Sequence, residues 1–346
     1  MQLIKPGVNI DFIGKRKIAF AVSIVLIVLS LGSLALHGGP RYGIDFAGGT
    51  LIQVKFASPV EIGDVKQGLA ESNLGNPSVQ RFGEKQENEF LIRTDISETA
   101  NEDFARSLEA GLEKATGSKV EIRRVEMVGP QVGKDLREKA LFAMFFALLF
   151  ITVYISGRFE MKWLTSFIIA VALIGAIYFF SLFKVSSPFL IMIALIVTLV
   201  LFWFLELKYA MGAMVALIHD VTITVGAFSL LDVEFTLPIV AALLTIIGYS
   251  LNDTIVVFDR IRENLRKYSR KPMATILNRS VNETLSRTLL TSGTTLIVVI
   301  ALLILGGGII HDFALAMTIG VIIGTYSSIY VANPILLAWG LKKKKA

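Results

Sequence analysis

LPIVAALLTIIGYSLNDTIVVF, residues 237–258, decides how this chain is read. A helix needs about 20 apolar residues to cross a bilayer, and this run is long enough. Its one side chain charged at neutral pH in water is Asp253. Placing a charge at membrane depth costs about 2.5–3.5 kcal/mol on insertion scales, so a carboxylate there marks an ion path, a proton relay or a buried charge pair. Tyr249, Ser250, Asn252 and Thr254 surround it. A polar turn of this kind has to face protein or a water-filled cavity, because unsatisfied polar groups in lipid are costly.

Working outward, similar apolar runs recur near 18–36, 137–157, 163–183, 188–206, 209–230, 285–306 and 312–340, which with 237–258 gives about eight spans. The 346 residues are 54% apolar with mean hydropathy +0.66, the balance of an α-helical polytopic membrane protein. The first run follows Lys15-Arg16-Lys17, and its length favours a retained anchor over a cleaved leader. There is no cysteine, which excludes disulfides, thiol catalysis and cysteine-ligated metal or iron–sulfur sites.

The net charge of +6 is unevenly spread: residues 40–135 carry −4 and the rest +10. That excess falls in short loops on alternate sides of the spans, at Lys5, Lys15 to Lys17, Arg158, Lys162, Lys208, eight cations between Arg260 and Arg287, and Lys342 to Lys345. The opposite side holds only Lys184. The positive-inside rule therefore places residues 1–17 and the basic tail 341–346 in the cytosol, and 38–136 outside. This pattern of positive charge points to membrane topology and not to nucleic acid. Trp163, Trp203, Trp339, Tyr154, Tyr209 and Tyr330 lie near span ends as interfacial anchors.

The hydrophilic block reads strand (51–56), helix (59–72), strands (78–82 and 90–94), a helix (98–115) capped by Ser97, and a last strand (119–128). The order βαββαβ predicts one small α+β ferredoxin-like domain. Residues 259–284 read as a cytosolic amphipathic linker, with Pro272 opening a short helix at the membrane surface. Gly306-Gly307-Gly308 reads as a loop breaker between the last two spans.

Among groups that carry chemistry, Asp220 lies within 209–230, with Thr224 one turn on as a hydroxyl partner. His219 precedes it, but adjacent helical side chains diverge by about 100°, so the two are not expected to share a metal. Arg287 opens a stretch rich in hydroxyls: Thr288, Thr291, Ser292, Thr294 and Thr295. Consecutive antiparallel helices pack together, so Arg287 is the expected partner of Asp253. Two readings stay open: a permanent ion pair that fixes helix contacts, and a protonatable site whose charge decides whether Arg287 is paired. Ser250, Asn252, Thr291 and Ser292 are the expected polar lining. Residues 43–50, GIDFAGGT, precede a strand and so lack the context of a phosphate loop. The sequons at Asn278 and Asn282 face the cytosol. Nothing assembles a nucleophile, base and oxyanion site, and no catalytic role, cofactor or metal is expected.

Five ordered segments carry a resemblance: GIDFAGGT (43–50), VGPQVGKDL (128–136), ALIHDVTIT (216–224), IGYSLNDTIVVFDRIREN (247–264) and SRTLLTSGTT (286–295). Through them the chain resembles the SecF family of the resistance–nodulation–division class. The resemblance implies an accessory subunit of the Sec translocase in the bacterial inner membrane, using the proton motive force in late steps of preprotein export through movement of its outer, periplasmic domain. It implies as partners a SecD-like subunit, the SecY/SecE/SecG translocon, unfolded preprotein, protons and membrane lipids. It also implies a proton path through Asp253 and Arg287, with Asp220 as a third member. The family pattern has six spans, so 163–206 reads as an inserted hairpin. The alternatives are a proton-coupled small-molecule or lipid transporter half of the same superfamily, and a non-conducting scaffold.

Overall fold

The structure is a computed structural model that describes residues 8–70, 77–83, 85–95, 102–183 and 185–339. Ser97, Lys5, Lys184 and Lys342 to Lys345 lie outside the described residues. In chain order the elements are α1 (Arg16–Leu36), α2 (Ile44–Ala47), β1 (Gly49–Phe56), α3 (Ile62–Leu69), β2 (Ser78–Phe82), β3 (Glu89–Thr94), α4 (Glu102–Thr116) and β4 (Val120–Val128). There follow α5 (Pro130–Ile155, extended by a π turn to Glu160), α6 (Trp163–Ser181), α7 (Ser187–Phe204), α8 (Lys208–Leu230), α9 (Leu237–Lys267), α10 (Met273–Leu305), α11 (Gly308–Tyr330) and α12 (Ala332–Ala338). Among the described residues, eight helical stretches are long and apolar enough to cross a membrane, the last running from α11 into α12. The fold class is the one read from the sequence.

The four strands form one antiparallel sheet in the order β2-β3-β1-β4. This arrangement follows from alternation: in β1, Ile52, Val54 and Phe56 turn inward with Phe90 and Ile92 of β3. They meet Val65 and Leu69 of α3 and Leu108 and Leu112 of α4, which close the core of the small domain.

The small domain is joined to the helices through the α8–α9 turn. Tyr42 bridges Phe235, with Gly43 N donating to the Phe235 carbonyl at 2.9 Å and Phe235 N to the Arg41 carbonyl at 2.7 Å. Arg41 pairs with Asp232 at 2.7 Å, and Arg93 of β3 pairs with Glu234. Asp45 accepts from Leu237 N at 2.9 Å, capping the first turn of α9 from outside the helix. Gly48 and Gly49 both take positive φ, +80° and +116°, beside Pro130 and the Thr94 carbonyl, where a Cβ would strike backbone. Gly308 lies against the Phe82 ring of β2 and a side chain there would collide with it. The Gly306–Gly308 run is thus a landing point for the small domain as well as a chain break.

Two expectations about helix ends are corrected. The helix expected to end at 258 runs on to Lys267, and the one expected to begin at 285 begins at Met273. Residues 259–284 are therefore not an independent linker helix. They are the polar ends of α9 and α10 with a short turn between, because no proline or glycine interrupts either ladder there and breaking backbone bonds gains nothing. The hairpin of α6 and α7 lies against α5, where Phe145, Leu149, Leu173, Ile177, Ile191 and Ala194 form a local apolar cluster.

Candidate functional site

Both carboxylates singled out in the sequence are buried, Asp220 with 1% and Asp253 with 4% of their surface exposed. Asp220 on α8 accepts from Ser250 Oγ of α9 at 2.6 Å and from Ser327 Oγ of α11 at 2.8 Å, both at Oδ2. Its Oδ1 lies 2.9 Å from His219 Nδ1. Thr224, the expected hydroxyl partner, instead donates to the Asp220 backbone carbonyl at 2.8 Å. A helical threonine reaches the carbonyl four residues back more readily than a side chain on its own helix. Neighbouring helices supply the hydroxyl partners of the carboxylate instead.

Asp253 faces α10. Ser292 Oγ lies 3.3 Å from Oδ2 and Thr291 Oγ1 3.5 Å from Oδ1, and Ser292 Oγ is also 2.7 Å from Thr325 Oγ1 of α11. Arg287 is exposed and stands beyond ion-pair distance of Asp253, although its charge still acts on the carboxylate. The reason lies in helix geometry. Arg287 is four residues, about one turn or 5–6 Å, before Thr291, so α10 presents its hydroxyls and not its guanidinium level with Asp253. A permanent Asp253–Arg287 pair is not the arrangement here.

The expected lining divides. Thr291 and Ser292 touch Asp253, Ser250 belongs to Asp220, and Asn252 is exposed on the far side of α9. The split follows from the 100° advance per residue, which sends Asn252 and Asp253 to different faces. Sequence reasoning missed α11, whose consecutive Thr325, Tyr326 and Ser327 reach the Asp253 cluster, α1 and Asp220 in turn. The signal was present as a polar run, TYSS at 325–328, inside an apolar span. It also missed Ser23 of α1, which contacts both His219 Nε2 and the Tyr326 hydroxyl at 3.1 Å. Among the described residues no group of three or more His, Asp or Glu is placed to hold a metal.

The arrangement is two buried carboxylates on adjacent helices, held by hydroxyls that can donate or accept and tied together by one helix. Comparison with known proteins bears on what such a device belongs to. The family model for the protein export membrane protein SecD/SecF, C-terminal, matches residues 108–196 and 181–342, and the SecD/SecF GG motif matches 35–60. Protein translocase subunit SecF of Magnetococcus marinus is 46% identical over 341 residues, 97% of this chain and 94% of that protein. The chain belongs to the SecF family. The SecF subunit of Vibrio alginolyticus is 40% identical over 99% of this chain and 94% of its own length. The crystal structure of SecDF, a translocon-associated membrane protein from Thermus thermophilus, superposes with TM-score 0.70 at 32% identity, covering 98% of this chain. The chain spans 39% of that longer protein. The segment matched by the SecD/SecF GG motif includes Gly48 and Gly49, and the close approach to Pro130 and Thr94 gives the physical reason for glycine at both.

Proposed function

We propose that the chain acts as the SecF component of the bacterial Sec machinery, coupling proton entry to late steps of preprotein export. Asp253 is the group that binds and releases the transported proton, Asp220 is a second station, and Arg287 is the counter-charge that Asp253 meets in another conformation. The observation that carries this reading is the surroundings of Asp253. The carboxylate is buried against the Ser292 and Thr291 hydroxyls, with Thr325 behind Ser292, and Arg287 is near enough to act on it by charge without being locked to it in an ion pair. A scaffold held by a static Asp253–Arg287 pair has less support, because that pair is not formed.

In this reading the termini and the basic ends of α9 and α10 lie in the cytosol, and the small α+β domain in the periplasm. A SecD-like subunit completes the relay, as the 39% coverage of the longer SecDF chain suggests. The SecY/SecE/SecG translocon and an unfolded preprotein are the working partners. A small-molecule or lipid transporter half is the second candidate of the same superfamily, and no feature of the site favours it.

The test is proton-motive-force-dependent translocation of a preprotein into inverted membrane vesicles carrying Asp253→Asn at wild-type level. Loss of the proton-dependent component is expected, with ATP-driven translocation retained. Unchanged dependence on the gradient sinks the coupling role.

A further inference from the structure

His219 is 3% exposed at membrane depth and takes no part in the relay described above. Its four-contact chain allows the hydrogens to be counted. The Tyr326 hydroxyl is 2.6 Å from the Ala19 carbonyl of α1, an oxygen that can only accept, so Tyr326 spends its single proton there. Ser23 Oγ, 3.1 Å from the Tyr326 oxygen, must then donate to it. With its own proton used, Ser23 has to accept from His219 Nε2 at 3.1 Å, which requires Nε2–H. The last contact, His219 Nδ1 to Asp220 Oδ1 at 2.9 Å, needs a further proton on one atom or the other. Asp220 Oδ2 is already served by Ser250 and Ser327 and supplies none.

We propose that His219 and Asp220 form one proton-holding unit, loaded in this structure, whose unloading undoes the Tyr326 bond to Ala19 on α1. The inference rests on the relay reading for its purpose but not for its hydrogen count. In the loaded unit one proton lies between Oδ1 and Nδ1, as carboxylic acid with neutral imidazole or as carboxylate with imidazolium. When that proton leaves, a bare Nδ1 faces a carboxylate oxygen, a contact that an unpaired buried acceptor makes costly. Relief comes from moving the remaining ring proton from Nε2 to Nδ1. Nε2 then accepts from Ser23, Ser23 no longer donates to Tyr326, and the Tyr326 hydroxyl must leave Ala19 to fill the gap. A proton lost on α8 is thereby registered where α1 meets α11.

The groups facing the unit from neighbouring helices limit what else could set its state. From α11 the titratable group is Tyr326. From α9 the contact is the neutral Ser250 hydroxyl and the titratable group is Asp253, three residues further on, and from α1 only Ser23 and the Ala19 carbonyl make contact. The helices α5, α7 and α12, which also pack on α8, send no charged side chain into hydrogen bond with the pair.

The test is nitrogen-15 magnetic resonance of the full chain in lipid nanodiscs, labelled at histidine and carrying His37→Gln and His311→Gln, so that only His219 reports. The expected result is a protonated Nε2 with Nδ1 protonated or strongly hydrogen-bonded, converting on alkaline titration to the Nδ1–H form. Tyr326→Phe removes the donor that orders the chain and is expected to give the Nδ1–H form without titration. A histidine that holds a bare Nε2 across about pH 5 to 9, or a tautomer that Tyr326→Phe leaves unmoved, overturns the proposal. Translocation by the Asp253→Asn chain tests the relay separately, and its outcome leaves the His219 result standing.

Discussion

Glu234→Gln is the sharpest probe of how the small domain is held. Glu234 receives Arg93 from β3 and lies 3.7 Å from Arg41, with 11% of its side chain exposed against 19% for Arg93. Burial, and then the positive charge of Arg41, hold the Arg93 guanidinium down to about 10, so it remains charged at neutral pH when its partner is lost. Exposed ion pairs contribute up to about 1 kcal/mol, whereas breaking a buried pair costs about 3–5 kcal/mol. This joint lies between those limits, and about 2 kcal/mol is expected. The readout is amide hydrogen exchange at Gly43 and Phe235, whose bonds close the joint. Their protection should fall by about 30-fold, since 1.4 kcal/mol corresponds to a factor of ten. Protection in the small domain's own strands should be unchanged. If Gly43 and Phe235 keep wild-type protection, Glu234 does not hold the joint and the reasoning from burial fails.

Gly308→Val drives a branched side chain into the Phe82 ring and should weaken the same docking by about 1–3 kcal/mol; faster exchange in β2, reversed by Phe82→Ala, is the expected outcome. Asn278→Ala with Asn282→Ala removes the amides that bind the backbone of Ile10, Phe12 and Ile13. At about 0.5–1.5 kcal/mol per bond, the arm should detach, and trypsin should cut at Lys15 to Lys17 at least about tenfold faster. Ser327→Ala leaves Asp220 with one hydroxyl fewer and should cost about 1–3 kcal/mol, read as a lower Tm in detergent. An unchanged Tm would mean that α11 does not hold Asp220.

The eight spans and the βαββαβ order were legible because run length and alternation are local properties of the chain. Helix ends at 258 and 285 were misplaced for the converse reason. A switch from apolar to charged residues marks where a helix leaves an apolar setting, and says nothing about whether the backbone ladder stops. Asp253 was legible by its desolvation cost, but its partner was not. Charge matching selected Arg287, whereas the relative height of α9 and α10 put Thr291 and Ser292 opposite it. Ser327, Tyr326 and Ser23 could not be found by a search for ionisable groups, since each is an ordinary helical residue until another helix brings a carboxylate or an imidazole within reach. His219 was set aside because adjacent side chains diverge. It nevertheless reaches Asp220 Oδ1, which shows that divergence rules out a common ligand better than it rules out a hydrogen bond.

The unbroken length of α9 has a mechanical consequence. After Pro238 no proline interrupts its 31 residues, so it is a stiff rod of about 46 Å, anchored at Leu237 to the small domain through Asp45. Asp253 lies about 24 Å from that anchor and about 21 Å from Lys267, close to the balance point. If the rod pivots there, a sideways pull of about 5 Å on its anchored end tilts it by about 12° and swings the basic end about 4 Å the opposite way. The carboxylate turns against the α10 hydroxyls while scarcely changing place. Such a seesaw makes the smallest movement coincide with the group most sensitive to orientation.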